Sequence, residues 1–224
     1  GGQQGVPVTA TSPLSLPRWR TRTALGSTAT GTWVDHPTAG WQPSPRRVFV
    51  RMLDPVHTHM SELEVMTILD RLEGAGVTPW IDGGWGVDAL LGRQTRAHGD
   101  LDIVIEQHQE TAARVVLAQE GFAEVPMWFS TAVHTVWHHD DGRALDLHVV
   151  VLDEEGGGVY GDEGVYPAEG FEGRGTIGGR KVRCISAPVQ IEFHRGYEER
   201  PQDRHDVLLL CQAFDLDIPN EYRN

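Results

Sequence analysis

Residues 77–106 constrain the fold more than any other part of the chain. The apolar run Val-Thr-Pro-Trp-Ile-Asp (77–82) leads into a glycine pair, Gly83-Gly84, and the run Asp-Leu-Asp-Ile-Val-Ile-Glu follows at 100–106. The first reads as a short buried strand entering a glycine turn. The second alternates polar and apolar residues, the pattern of a half-buried strand. Between them, Val87–Leu91 is expected to form a helix closed by Gly92. With a strand period of two, Asp100 and Asp102 share one face, while Leu101, Ile103 and Ile105 point into a core. Two carboxylates on one sheet face beside a glycine bend disfavour each other's charge and call for a counter-ion.

The flanking segments extend this unit into an α+β domain with a mixed sheet. Apolar positions Leu63, Val65, Met66, Leu69 and Leu72 form a helical stripe, opened by a Ser61/Glu64 capping box and stopped near Gly74 and Gly76. Residues 109–121 predict another helix. Residues 131–140 and 143–152 read as a β-hairpin about Asp141-Gly142. A Gly- and acid-rich loop is expected over about 153–175, lying over a site or on the surface. A second hairpin is expected around Gly178-Gly179, and two helices over 187–199 and 202–214.

Charge narrows the function classes. The chain has 224 residues and a formal net charge of −13, which disfavours a nucleic-acid partner because phosphate backbones need a basic surface. The imbalance is uneven: residues 1–51 hold six Arg and one acid, Asp35, and are rich in Gly, Pro, Ser and Thr. They read as a disordered or non-native extension. The two cysteines, Cys184 and Cys211, are too sparse for a disulfide framework, so free buried thiols and a cytoplasmic setting are expected. No apolar run is long enough for a membrane span.

A third acid follows the same parity logic. In Arg-Ala-Leu-Asp-Leu-His-Val-Val-Val-Leu (143–152), Asp146, His148 and Val150 share a face. If that strand lies beside 100–106, three carboxylates converge, a set suited to Mg²⁺, which prefers oxygen ligands and keeps substrate phosphates in its shell. Gly83 and Gly84 let backbone N–H groups approach a phosphate chain, and Arg93 and Arg96 add charge just ahead of the acids.

The whole motif, Gly-Gly-Trp-Gly-Val-Asp-Ala-Leu-Leu-Gly-Arg-Gln-Thr-Arg-x-His-x-Asp-x-Asp (83–102), resembles the antibiotic nucleotidyltransferases of the polymerase-β-like superfamily. It is most similar to the short lincosamide nucleotidyltransferases, with the aminoglycoside 2″-adenylyltransferases as relatives. The resemblance runs from about 61 to 219 and takes in Leu-Asp-Leu-His (145–148), Val-Arg-Cys-Ile-Ser (182–186) and Phe-His-Arg-Gly-Tyr (193–197). It implies a nucleotidyltransferase core over 52–152 and a C-terminal region over 153–224 that shapes the acceptor site. It further implies that Asp100, Asp102 and Asp146 hold Mg²⁺, that Asp146 activates the acceptor hydroxyl, and that ATP is the co-substrate. The partner would be a small-molecule antibiotic, with AMP transferred and pyrophosphate released; a homodimer is a family expectation. An aminoglycoside acceptor is the first alternative. A non-catalytic nucleotide-binding or toxin–antitoxin protein of the same fold is the second. Where some relatives carry a lysine on the last helix this chain has Gln202, with Arg200 or Arg204 as replacements.

Other residues divide between site and scaffold. His98 shares the face of the acids and is assigned to the nucleotide. His148, His194 and Tyr197 are assigned to the acceptor. Trp85 is expected to wedge the glycine turn, Asp88 to be structural, and one of Trp128 and Trp137 to be core. His138 and His139 flank a turn and should be solvated. Eleven histidines without a His-x₃₋₅-His spacing near a Cys pair predict no zinc site.

Overall fold

The computed structural model describes residues 59–162, 164–195 and 198–223; the expected extension at 1–51 and Tyr197 lie outside them. The chain builds α1 (Glu62–Gly74), β1 (Trp80–Asp82), α2 (Gly83–Leu91), β2 (Asp100–Glu106), α3 (Glu110–Gln119), β3 (Phe122–Val125), β4 (His134–His139) and β5 (Ala144–Leu152). It continues with β6 (Gly158–Tyr160), β7 (Gly164–Tyr166), β8 (Arg174–Ile177), β9 (Arg180–Arg183), α4 (Ala187–Phe193) and α5 (Pro201–Phe214). The main sheet runs β1-β2-β5-β4-β3. Only β2 and β5 pair in parallel; β1, β3 and β4 pair antiparallel to their neighbours. This is the expected α+β mixed sheet. Among the described residues no helix is long and apolar enough to cross a membrane.

Three apolar clusters hold the elements in place. Leu101, Ile103, Ile105, Leu145, Leu147 and Val149 on one sheet face meet Val65, Ile68, Leu69 and Leu72 of α1 and Ala113, Val116 and Leu117 of α3. The Ser61/Glu64 capping box is formed, with the Ser61 backbone N–H donating to Glu64 Oε2 at 2.7 Å. On the other face Trp80, Val104 and Val150 lie under Tyr160, Tyr166, Phe171, Ile185 and Val189. The third cluster locks α2 between α4 and α5 through Val87, Ala187, Ile191, Val207, Leu210 and Cys211.

Helix α4 ends at Phe193, short of the expected 199, and three expectations about the strands change. First, β2 is covered on both faces beyond Asp102, since Val104 is as inaccessible as Ile103. Second, the stretch expected to be a loop over 153–175 contains β6 and β7. They extend the sheet from β5 through the pairs Val151↔Val159 and Val159↔Val165 and deliver Tyr160 and Tyr166 to the second cluster. The glycine and acid content hid a Gly-Val-Tyr repeat (158–160 and 164–166) whose tyrosines both point inward. Third, β3 was not foreseen, because Phe122 is the one fully buried residue in its four positions. The β8–β9 hairpin packs on α2, and the chain that leaves it bridges Ile81 to Cys184, tying this hairpin to the edge strand β1. Both cysteines are free and buried, as expected.

Candidate active site

Strand register brings the acids together. Asp82 is paired with Asp102 across β1–β2, and Asp102 with Asp146 across β2–β5, so three carboxylates form one row over three strands. Asp100 lies on the same face, one repeat before Asp102. The next row along the face is Trp80, Val104, His148 and His134. The convergence expected for Asp100, Asp102 and Asp146 is therefore present, and it includes a fourth carboxylate that the sequence reading missed.

The row is expensive to charge. Burial, followed by repulsion from Asp100, Asp146 and Asp82, pushes the Asp102 carboxyl well above the usual range. Burial and then Asp146 raise Asp100, with Arg96 and His98 opposing. Burial also raises Asp82, against the Gly83 N–H and the Tyr166 hydroxyl that favour its ionised form. Several crowded carboxylates, poorly hydrated and set against one another, form an all-oxygen donor set whose charge a hard divalent cation would offset. The residues present fit Mg²⁺ on that ground.

The glycine turn abuts the acids. Helix α2 starts at Gly83 rather than at Val87, with Asp82 as its N-cap accepting the Gly83 N–H at 2.8 Å. Gly83 has φ +54°, and a Cβ there would stand 2.1 Å from Asp102 Oδ2. A Cβ on Gly84 would stand 2.3 Å from His98 Nδ1 and 2.6 Å from an Arg96 terminal nitrogen. The two glycines thus leave open a cradle between the helix N-terminus, Asp102, His98 and Arg96. Trp85 is buried behind it, the wedge that was expected.

Several site candidates are held by other protein groups. His98 is 2% exposed; its Nε2 is bonded to Asp88, while its buried Nδ1, the atom facing Gly84, has no partner. Asp88 also accepts from the Thr95 N–H at 3.0 Å and hydroxyl at 2.6 Å, which fits its structural assignment. Arg96, expected at a triphosphate, already grips the fully buried Asp206 with Nε at 3.0 Å and Nη2 at 2.6 Å. Arg93 is exposed beyond the C-terminal end of α2. At about 1.5 Å of rise per residue, a nine-residue helix separates it from the cradle. The early start of α2 is the reason for that correction. Arg200 binds Asp203 at 2.8 Å through Nε and lowers Asp100 and Asp102 electrostatically, so it borders the row.

The acceptor candidates also separate. His148 is 2% exposed, with Nδ1 2.8 Å from the Tyr160 hydroxyl and Nε2 3.7 Å from Asp102 Oδ1. Burial, then the neighbouring His134, depresses its pKa well below the ordinary value. It faces the acids from inside the sheet rather than an open pocket. His194 sits at the end of α4, with Nδ1 2.7 Å from the Gln190 carbonyl and Nε2 3.8 Å from Asp206 Oδ2. That places it in helix packing and removes it as a wall of an open acceptor pocket. Trp137 is the core tryptophan, and Trp128 is 62% exposed against Phe129, which in turn packs on His134. His138 is exposed and His139 half-buried against Asp141.

Sequence reasoning missed Asp82, His134, Tyr160 and Asp206. Asp82 was legible, since it ends an apolar strand immediately before the glycine pair. His134 follows from the hairpin register that pairs it with His148 and puts it diagonal to Asp146, its Nε2 3.2 Å from Asp146 Oδ2. Tyr160 and Asp206 lie on elements too distant in sequence for spacing to reveal them.

Comparison with known proteins agrees with this geometry. The aminoglycoside-2″-adenylyltransferase family model matches residues 64–210. A lincosamide resistance protein of Staphylococcus haemolyticus is 32% identical over 162 residues, 69% of this chain and 96% of the relative. A 2″-aminoglycoside nucleotidyltransferase of Klebsiella pneumoniae is 33% identical over 134 residues, 55% of this chain and 68% of the relative. The lincomycin-bound crystal structure of the lincosamide antibiotic adenylyltransferase LnuA superposes with a TM-score of 0.60 at 32% identity, covering 68% of this chain and 97% of that one. With the family match spanning more than half of the sequence, the chain belongs to the aminoglycoside-2″-adenylyltransferase family and is a nucleotidyltransferase.

Proposed function

We propose that the protein transfers AMP from ATP to a hydroxyl of a lincosamide-type antibiotic, releasing pyrophosphate. The observation that carries the chemistry is the direct parallel pairing of Asp102 with Asp146 beside the Gly83-Gly84 cradle. Coverage of nearly the full length of two lincosamide-linked relatives carries the choice of acceptor. Asp100, Asp102 and Asp146 would hold Mg²⁺, which when bound offsets phosphate charge and polarises the α-phosphoryl group.

The chain's own residues do the remainder. The first-turn N–H groups of α2 beyond Gly83, whose own N–H is held by Asp82, would meet the triphosphate, where a helix N-terminus favours an anion. His98 offers Nδ1 beside Gly84, and Asp88 fixes the ring's orientation through Nε2. Arg96, neutralised by Asp206, keeps the rim of the cradle in place rather than supplying free charge. Asp146 accepts the proton of the acceptor hydroxyl as its oxygen bonds to the α-phosphorus and the bond to pyrophosphate breaks. His134 fixes that carboxylate through Nε2. The exposed Trp128 and its neighbour Phe129 form a rim on which a sugar ring can rest. The family resemblance suggests that the region after residue 153 shapes the acceptor site and that Tyr197 is an acceptor contact. An exposed valine row, Val151, Val159 and Val165, supports the family expectation of a homodimer. Free buried thiols support a cytoplasmic setting.

The test incubates the full chain with Mg²⁺, each NTP in turn, and lincomycin or kanamycin, and reads nucleotide adducts by mass spectrometry. An AMP adduct on lincomycin and none on kanamycin is expected. The reverse pattern selects the aminoglycoside reading, which the 33% identical relative favours. Nucleotide binding without adduct or pyrophosphate contradicts transfer altogether.

A further inference from the structure

The face that carries the acids also carries two imidazoles that the transfer reaction does not need as ligands. His134 and His148 are register partners on β4 and β5, their ring centroids 4.3 Å apart. Together with Asp146 they offer three ligand atoms that all lie within 4.8 Å of one another. All three side chains are buried, at 9%, 2% and 6% exposure. We infer that His134, His148 and Asp146 form a second cation site, selective for an imidazole-binding transition metal such as Zn²⁺ and sharing Asp146 with the oxygen-lined Mg²⁺ set.

The donor chemistry separates the two sites. Mg²⁺ prefers oxygen ligands and holds its water tightly, whereas Zn²⁺ takes imidazole nitrogen and carboxylate oxygen in a compact tetrahedral shell. His148 is prepared for ligation in the way metal-binding histidines usually are. Its Nδ1 lies 2.8 Å from the Tyr160 hydroxyl, so Nε2 turns toward the acids, and Tyr160 is itself fully buried. His134 directs Nε2 at Asp146 Oδ2, 3.2 Å away, and Phe129 packs against its ring. A cation between them would replace that hydrogen bond. Asp102 Oδ1, 3.7 Å from His148 Nε2, is the nearest further oxygen, and a water could equally complete the shell.

The site was hidden from sequence because its two histidines are fourteen positions apart, and the hairpin register, not a short motif, brings them together. Its consequence rests on the proposed reaction: an ion held by Asp146 occupies the carboxylate that accepts the hydroxyl proton, so Zn²⁺ would switch transfer off, and a chelator that takes Zn²⁺ and leaves Mg²⁺ would restore it.

Binding can be tested without turnover. The full chain is stripped with EDTA, desalted, and dialysed to equilibrium against ZnCl2 or CoCl2 in a large excess of MgCl2. Bound metal is then counted, and the visible absorption of Co²⁺ is recorded. One Zn²⁺ per chain retained against Mg²⁺ is expected, with Co²⁺ bands of a nitrogen-ligated, four-coordinate ion. His134→Gln should weaken Zn²⁺ binding by more than about tenfold, and Tyr160→Phe by about 10–100-fold, the usual cost of losing the partner that orients a ligating histidine. Far-UV circular dichroism and a thermal melt establish that each variant is folded. Two results would overturn the inference. One is wild-type protein that retains no Zn²⁺ against Mg²⁺. The other is folded His134→Gln and Tyr160→Phe proteins that bind Zn²⁺ as tightly as wild type, which would place the ion elsewhere than between His134 and a Tyr160-oriented His148. Neither result bears on whether AMP is transferred, so failure here is distinguishable from failure of the proposed function.

Discussion

Single residues decide whether the cradle exists. Gly83 combines φ +54° with a Cβ position 2.1 Å from Asp102 Oδ2, so no other residue fits without moving the carboxylate. Gly83→Ala is expected to lose about 1–2 kcal/mol of stability from the left-handed backbone alone and to abolish ATP·Mg²⁺ binding. Urea denaturation and calorimetric titration check the two halves, and unchanged ATP binding would refute the close-approach argument. Asp206 is the second decisive residue. Burial works against its charge, but His194 and Arg96 hold the carboxyl below the usual carboxylate range, and Asp206 in turn holds His194 above the usual imidazole value. Asp206→Asn leaves Arg96 and His194 without their counter-charge and should cost about 3–5 kcal/mol near neutrality. The sign with pH follows from linkage. The lowered Asp206 contributes stability above its unfolded value and loses it as pH falls through the lower folded one. The raised His194 contributes below its unfolded value and loses it as pH rises through the higher folded one. The gap between wild type and Asp206→Asn should therefore be widest between those two titrations and narrow on either side. Urea midpoints measured across pH give the profile, and a gap independent of pH would contradict it.

At the scale of elements, register does the work that composition cannot. The alternation in 100–106 and in 143–152 told which residues share a face, and the parallel β2–β5 pairing then put Asp102 beside Asp146. Both strands were legible because their apolar positions, Leu101, Ile103, Ile105, Leu145, Leu147 and Val149, repeat every second residue and are all buried. Ile103→Ala, at the centre of that set and paired with Leu147, should cost about 2–5 kcal/mol and lower activity only in proportion to unfolded protein. A loss of specific activity in fully folded variant would mean that the inner face reaches the site. What the sequence left obscure has equally local causes. The start of α2 was placed four residues late because glycines disfavour helices, yet Asp82 caps that end directly. Strands β6 and β7 have three residues each and sit among acids and glycines, so only their inward tyrosines mark them. His134 could be placed opposite His148 only once the hairpin turn was fixed, and Asp206 reaches Arg96 across 110 positions.

At the scale of the whole molecule, the sheet is a platform with one apolar and one chemical face. Helices α1 and α3 close the apolar face and fix the strands. The other face is split between the acid row at one end and the Tyr160–Tyr166–Phe171 cover at the other, so the carboxylates are buried by their own scaffold. In the proposed function this crowded acid face is what a divalent ion would occupy, with the polyphosphate beside it. The net charge of −13 belongs to the same logic, favouring a small cationic or neutral acceptor over nucleic acid. In the proposed reaction Asp146 takes the proton of the acceptor hydroxyl while the neighbouring acids keep the nucleotide in place. The most direct test of that role is Asp146→Asn, compared with wild type by ATP·Mg²⁺ affinity and by the rate of pyrophosphate release with lincomycin. ATP·Mg²⁺ affinity within a few-fold of wild type, with release slowed by about 10²–10⁴, is the predicted outcome; release at the wild-type rate would contradict the account.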